Sequence, residues 1–380
     1  MLVNRGLEAA RCLKPGHLRL WHRSRRLRDR PAVILIPSIL GTRLLDGRGR
    51  SLWATTRDLY FGPRFDGAKE VRTAGLLEHF TVVPAIFAHD VYGGLLRFLE
   101  RIGGYRRDTD LFVLDYDWRT GIVDGARQLA NLVRQVVARG AARVDLVGIS
   151  TGGLIARYFL GHETDAAAKR ARRAIYIGTP QRGTFHVVEM LVQGLRPAPW
   201  GRRFSGTEVA GLQTAWDCLP HPDERLFIDD RGEPLGLSHY DPEVWLRHGL
   251  VSLPRDELAV RLARARQLHD ALDRSPVHRD AFVIGGRHLP TTFRARISRG
   301  KVVLSACQPQ RDDPYVAHTY RPGDNSVPEA SLRALPGLRE ERLFWVSANA
   351  HHLLPSEPEV HRLILEALFA PETPNRQPHP

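Results

Sequence analysis

Apolar positions along this chain recur in two alternating rhythms. Short unbroken apolar runs form the first: Pro31-Ala-Val-Ile-Leu-Ile-Pro37, Leu111-Phe-Val-Leu-Asp115, Val144-Asp-Leu-Val-Gly-Ile149, Ala174-Ile-Tyr-Ile-Gly178, Ala281-Phe-Val-Ile-Gly285 and Arg342-Leu-Phe-Trp-Val-Ser347. A short apolar run with little polar alternation suits a strand buried on both faces. Between the runs the spacing changes to i, i+3, i+4, i+7. It is carried by Leu95, Leu96, Leu99 and Ile102, by Ala126, Leu129, Ala130, Val133, Val136 and Val137, by Leu154 to Leu160, and by Val360, Leu363, Ile364, Ala367 and Leu368. Each of these segments predicts a helix with an apolar face. Strands alternating with helices predict an α/β fold, a mostly parallel central sheet with helices on both faces.

One region breaks the rhythm. From Phe185 to about Val277 the chain holds Trp200, Trp216 and Trp245, many prolines and glycines, and a helical stretch from Glu257 to Leu272, with no strand of the central type. Residues 185–277 are therefore expected to form an inserted cap or lid between two parts of the core, residues 31–184 and 278–370. Residues 1–30 are a basic leader rich in arginine (Arg5, Arg11, Arg19, Arg23, Arg25, Arg26, Arg28, Arg30), and the proline-punctuated tail, residues 371–380, is expected to be disordered.

Composition narrows the function classes. The leader lacks the apolar stretch and small-residue cleavage site of a secretory signal, and no run reaches the roughly 18 apolar residues of a membrane span. The expected location is the cytoplasm, free or in peripheral contact with an anionic membrane surface. A formal net charge of +13 comes from basic residues scattered beside acidic ones, without zinc-finger spacing, RNA-binding aromatic motifs or basic-region heptads, so nucleic acid is not an expected partner. Such diffuse charge fits a solvated surface or attraction to lipid headgroups. The three cysteines, Cys12, Cys218 and Cys307, are far apart and have no C-x-x-C spacing, which argues against a disulfide framework or a zinc site.

The chemistry concentrates where the third apolar run ends, in Gly148-Ile-Ser150-Thr-Gly152. Strand, tight turn and helix in succession hold a serine hydroxyl out as a nucleophile, and glycines flank it because such a turn leaves no room for Cβ atoms. A serine needs a base, an acid that orients the base, and donors for the oxyanion. In this architecture the partners follow in the order serine, acid, histidine. Asp324, in the turn Gly323-Asp-Asn-Ser-Val-Pro328, is the acid candidate, with Asp312 and Asp313 as weaker rivals. His351 or His352, just after the last strand, is the base candidate, and spacing does not choose between them. The oxyanion donors are expected to be backbone N–H groups of Thr151 and of Ile39 or Leu40, in the loop after the first strand.

Several segments then occur in an order similar to that of the lecithin:cholesterol acyltransferase family: Pro37-Ser-Ile-Leu-Gly41-Thr-Arg-Leu44, Leu52-Trp53, Asp115-Tyr-Asp-Trp-Arg119, the serine turn, Ile177-Gly-Thr-Pro-Gln-Arg-Gly183, Gly323-Asp-Asn-Ser-Val-Pro328 and His351-His-Leu-Leu-Pro-Ser-Glu-Pro-Glu-Val360. The resemblance runs from about Pro31 to Phe369 and implies an α/β-hydrolase fold with Ser150, Asp324 and His351 as the triad. It also implies an oxyanion N–H from Ile39 or Leu40, and places Trp53 in a mobile lid near acyl chains. The chain departs from the family pattern at Ile149 and Thr151 beside the serine, at Ser38 where glycine is usual, at Asn325, and in having no cysteine pair around Trp53. The expected activity is that of a serine-dependent lipid acyl-ester enzyme, an O-acyltransferase or a lipase or phospholipase, forming an acyl-serine without metal or organic cofactor. The alternatives are a carboxylesterase acting on soluble esters and a catalytically silent scaffold that binds lipid or protein.

Overall fold

Strand β1, Ala32–Ile36, shows how the core is built: Ala32, Ile34 and Ile36 point into one apolar cluster and Val33 and Leu35 into a second on the opposite face. The computed structural model describes residues 31–55, 57–58, 70–83, 87–162, 166–196, 202–305, 308–310, 312–347 and 350–373. The basic leader, Cys12, Cys307, Trp200 and most of the tail lie outside these residues. Beside β1 stand β2 (Leu111–Val113), β3 (Val144–Ile149), β4 (Ala171–Ile177), β5 (Ala281–Arg287) and β6 (Leu343–Ser347). They form one six-stranded sheet in the order β6-β5-β4-β3-β1-β2, and every neighbouring pair is parallel. Each predicted apolar run is thus a central strand.

The helices fall on the two faces as the spacing requires. Helices α1 (Gly93–Arg101) and α6 (Pro358–Phe369) cover the Val33 face through Leu95, Leu96, Leu99, Val360, Leu363 and Ile364. Helices α2 (Ile122–Ala138) and α3 (Thr151–His162) cover the other, where Ala126, Leu129 and Val133 of α2 meet Leu154, Ile155 and Phe159 of α3. Helix α3 is buried along most of its length, as an apolar helix directly behind a parallel strand must be. The end of α6 is tied to the sheet by the buried Arg173, whose guanidinium donates to the Ala367 carbonyl and, at 2.7 Å, to that of Ala370.

Residues 185–277 begin with α4 (His186–Gln193) and end with the 20-residue helix α5 (Arg255–Arg274). Phe204, Trp216, Trp245, Leu258 and Leu262 of this region belong to the same apolar cluster as α2 and α3. Buried Asp217 accepts the first N–H of α2, that of Ile122, at 2.7 Å, an acidic partner for the positive end of the helix. Burial pushes its carboxyl up to about 6, against the lowering effect of Gln213 and the Ile122 N–H.

A second excursion from the central sheet follows β5. Phe227–Ile228 pairs in parallel with Ala295–Ser298, which pairs with Lys301–Val303, and Leu289–Thr292 pairs antiparallel with Tyr320–Gly323. The antiparallel strands Thr42–Asp46, Ser51–Trp53 and Val71–Leu76, and the hairpin of His79–Val83 with Phe87–Asp90, lack long apolar runs and so are not among the predicted elements. Among the described residues no helix is long and apolar enough to cross a membrane.

Candidate active site

The turn between β3 and α3 is possible only with glycine on either side of Ser150. A Cβ on Gly152 would stand 2.1 Å from the Ile36 carbonyl oxygen, and one on Gly148 would stand 2.6 Å from Gly153 Cα. Ser150 itself has φ of 52°, a conformation that costs a non-glycine residue of the order of 1–3 kcal/mol and is held by the surrounding structure. Its N–H is fixed by the Ile177 carbonyl of β4 at 2.7 Å. The hydroxyl is thereby raised at the carboxyl end of the sheet, 8% of the residue remaining exposed.

The loop after β6 brings in the histidine. His351 Nε2 lies 2.9 Å from Ser150 Oγ, and His351 Nδ1 lies 2.7 Å from Asp324 Oδ2. The His351 backbone N–H also donates to the Asp324 carbonyl at 2.8 Å, so ring and carboxylate are joined through main chain as well as side chain. Gly178, with φ of 58°, gives the ring its clearance, since a Cβ there would stand 3.0 Å from His351 Cε1. Asp324 is fully buried, and its second oxygen, Oδ1, accepts the N–H groups of Val327 at 2.7 Å and Ser326 at 3.1 Å. Both carboxylate oxygens therefore have partners, as a buried charge requires. Burial alone would lower the proton affinity of His351, but the charge and hydrogen bond of Asp324 outweigh it and raise the imidazole above its usual value.

The structure thus brings Ser150, Asp324 and His351 into one hydrogen-bonded line. His352 is exposed, and so is Asp312; Asp313 accepts the N–H of Tyr315 in its own loop. Chemically, such a line can draw a proton from the serine hydroxyl while the carboxylate holds the imidazole in the tautomer with its proton on Nδ1.

The loop carrying Ile39 and Leu40 is a tight turn closed by the Gly41 N–H on the Ser38 carbonyl at 2.9 Å, with Leu40 at φ of 64°. Thr151 heads α3, so its N–H has no partner within the helix. The Ile39 N–H points to this residue and donates to Thr151 Oγ1 at 2.8 Å. Trp53 is fully buried beneath the loop, where its indole N–H donates to the Leu40 carbonyl at 2.9 Å and its ring packs edge-on against Trp118 and Phe204.

Two further residues that the sequence reading did not assign hold the same loop. The Tyr116 hydroxyl donates to the Pro37 carbonyl at 2.9 Å, and the Tyr92 hydroxyl accepts the Ser38 N–H at 3.0 Å. Burial raises both phenols, Tyr92 to about 12, so each keeps its proton. Tyr116 and Trp118 lie in the quoted Asp115-Tyr-Asp-Trp-Arg119 segment, and Trp118 donates to the Thr42 carbonyl at 3.0 Å, just past the loop. The motif therefore has a structural meaning. Tyr92 carried no signal in the sequence, because its partner is a backbone group 54 residues away.

Residues 70–197 match the family model of lecithin:cholesterol acyltransferase. This match bears out the resemblance. Among solved structures, a chain of the Tle4–Tli4 complex is similar with a TM-score of 0.59 at 14% identity, covering 89% of this chain and 98% of that one. The Bacillus licheniformis lipase BlEst2 in mature form is a more distant likeness, with a TM-score of 0.42 at 14% identity over 90% of this chain and 92% of the lipase. No curated protein matches the chain in sequence. The fold is that of an α/β-hydrolase, as the sequence predicted.

Proposed function

We propose that this chain is a serine-dependent lipid acyl-ester enzyme, an O-acyltransferase or a lipase or phospholipase. The observation that carries the reading is the continuous line from Ser150 Oγ through the His351 ring to buried Asp324, at 2.9 and 2.7 Å. His351 Nε2 takes the proton of Ser150 as Oγ bonds to the acyl carbon, and the carbonyl electron pair moves onto oxygen. That oxygen is held by the N–H groups of Thr151 and of Ile39 or Leu40. When the intermediate collapses, the bond to the leaving alcohol breaks, His351 returns the proton to the departing oxygen, and an acyl-serine remains. Water or an alcohol then removes the acyl group by the same proton route.

A lipid ester is favoured over a small soluble one by the family stretch at residues 70–197 and by the net positive charge, which suits an anionic lipid surface. In this proposal residues 31–184 and 278–370 are the two parts of the core and residues 185–277 the cap. Trp53 serves first to hold Leu40; a role beside acyl chains requires the ring to leave its buried position.

A fluorophosphonate probe tests the nucleophile: an adduct on Ser150 that is lost in Ser150→Ala is expected, and an adduct that persists in that variant, or none in the wild type, removes the reading. Product analysis with a phospholipid and a panel of alcohols then reports donor and acceptor together.

A further inference from the structure

The Ile39 N–H, one of the two loop N–H groups offered above to the ester carbonyl, already has a partner within the chain. It donates to Thr151 Oγ1 at 2.8 Å, and that oxygen stands 3.4 Å from Ser38 Oγ and beside the Tyr116 phenol. A backbone N–H has one proton to give. While it serves Thr151 it cannot serve a carbonyl oxygen.

We propose that the Thr151 side chain gates the oxyanion site. Its hydroxyl fills the acceptor position at the Ile39 N–H in the free protein and yields that position when the acyl carbonyl arrives, turning toward Ser38 Oγ and the Tyr116 hydroxyl. The inference rests on reading Ser150 as the nucleophile and deepens it, giving the Thr151 side chain a role separate from that of its backbone N–H. The hydroxyl already contacts the Tyr116 phenol and has Ser38 Oγ 3.4 Å away, so giving up the Ile39 N–H does not leave it as an unpaired buried polar group. While it stays, the Ile39 N–H is kept paired and the loop keeps its shape.

Each arriving ester must therefore replace one internal hydrogen bond, which weakens its capture by about fivefold. Thr151→Ala removes the gate and Thr151→Ser keeps its hydroxyl. With a fluorophosphonate probe, Thr151→Ala is expected to label Ser150 about fivefold faster at low probe concentration, the gain lying in the half-saturating concentration rather than the limiting rate, while Thr151→Ser, which restores the hydroxyl, reverses that gain. Slower labelling in Thr151→Ala, restored by Thr151→Ser, would mean that the hydroxyl supports the loop during catalysis and would overturn gating. Absence of any adduct in the wild type would instead defeat the reading of Ser150 and the inference with it. The Ile39 amide proton resonance gives a readout that needs no turnover: it should move upfield in Thr151→Ala and stay in place in Thr151→Ser, and an unmoved resonance in Thr151→Ala overturns the proposal.

Discussion

Replacing Asp324 by asparagine changes one atom and reverses the logic of the site. Oδ1 of Asp324 accepts two backbone N–H groups, at 2.7 and 3.1 Å, and only an oxygen can stay there. In Asp324→Asn the amide oxygen takes that place, and the NH2 group is left facing His351 Nδ1, where Oδ2 now stands at 2.7 Å. Nδ1 must then accept, so the imidazole proton sits on Nε2, the atom that should receive the proton of Ser150. A base held in the wrong tautomer loses about 10⁴-fold in kcat, roughly 5 kcal/mol of transition-state stabilisation. The acid limb of the activity profile moves as well. In the wild type Asp324 outweighs burial and holds His351 above its ordinary value of 6.5, so activity should fall as pH drops through a midpoint above that value. Without the charge, burial is left to lower the imidazole, and the residual activity of the variant should persist to more acid pH. The assay is hydrolysis of a p-nitrophenyl ester across the acid limb, with thermal unfolding to show that the fold is kept. A folded variant within tenfold of the wild type, with the same acid midpoint, would refute the tautomer argument.

Two further outcomes follow from the packing. Gly152→Ala would set a Cβ 2.1 Å from the Ile36 carbonyl oxygen and 2.7 Å from that of Pro37, both main-chain atoms around the end of β1, and should cost about 4 kcal/mol or more; an unchanged melting temperature would show that the turn has slack the geometry denies. His239 and His269 are buried, and burial lowers each to about 4 despite the carbonyls of Pro220 and Leu219 that they contact. Their folded values lie below the unfolded 6.5, so the native state binds fewer protons between these limits and stability is lost as pH falls from 6.5 towards 4. The loss is about 3 kcal/mol for each histidine; urea unfolding at neutral and mildly acid pH should register it, and a stability that is flat over this window would contradict the burial argument.

The line between what was legible and what was not follows the range of the forces involved. Local sterics and periodicity wrote the central strands, the main helices and the serine turn into the sequence, because a buried strand must be apolar on both faces and a Cβ at Gly148 or Gly152 collides with nearby backbone. The order of partners along an α/β chain pointed to Asp324 and to a histidine after the last strand. Spacing left His351 and His352 equal, since adjacent residues share a loop and differ only in where their side chains point; the family likeness favoured His351, and the tertiary structure places that ring between Ser150 and Asp324 while His352 faces solvent. Only the tertiary structure could show that Tyr92, Tyr116, Trp53 and Thr151 all hold the loop after β1, because their hydrogen bonds join residues 13 to 112 positions apart. Backbone donors and carbonyls are present at every residue and leave no mark in a sequence, so which of them are occupied is decided by the packing that brings distant segments together.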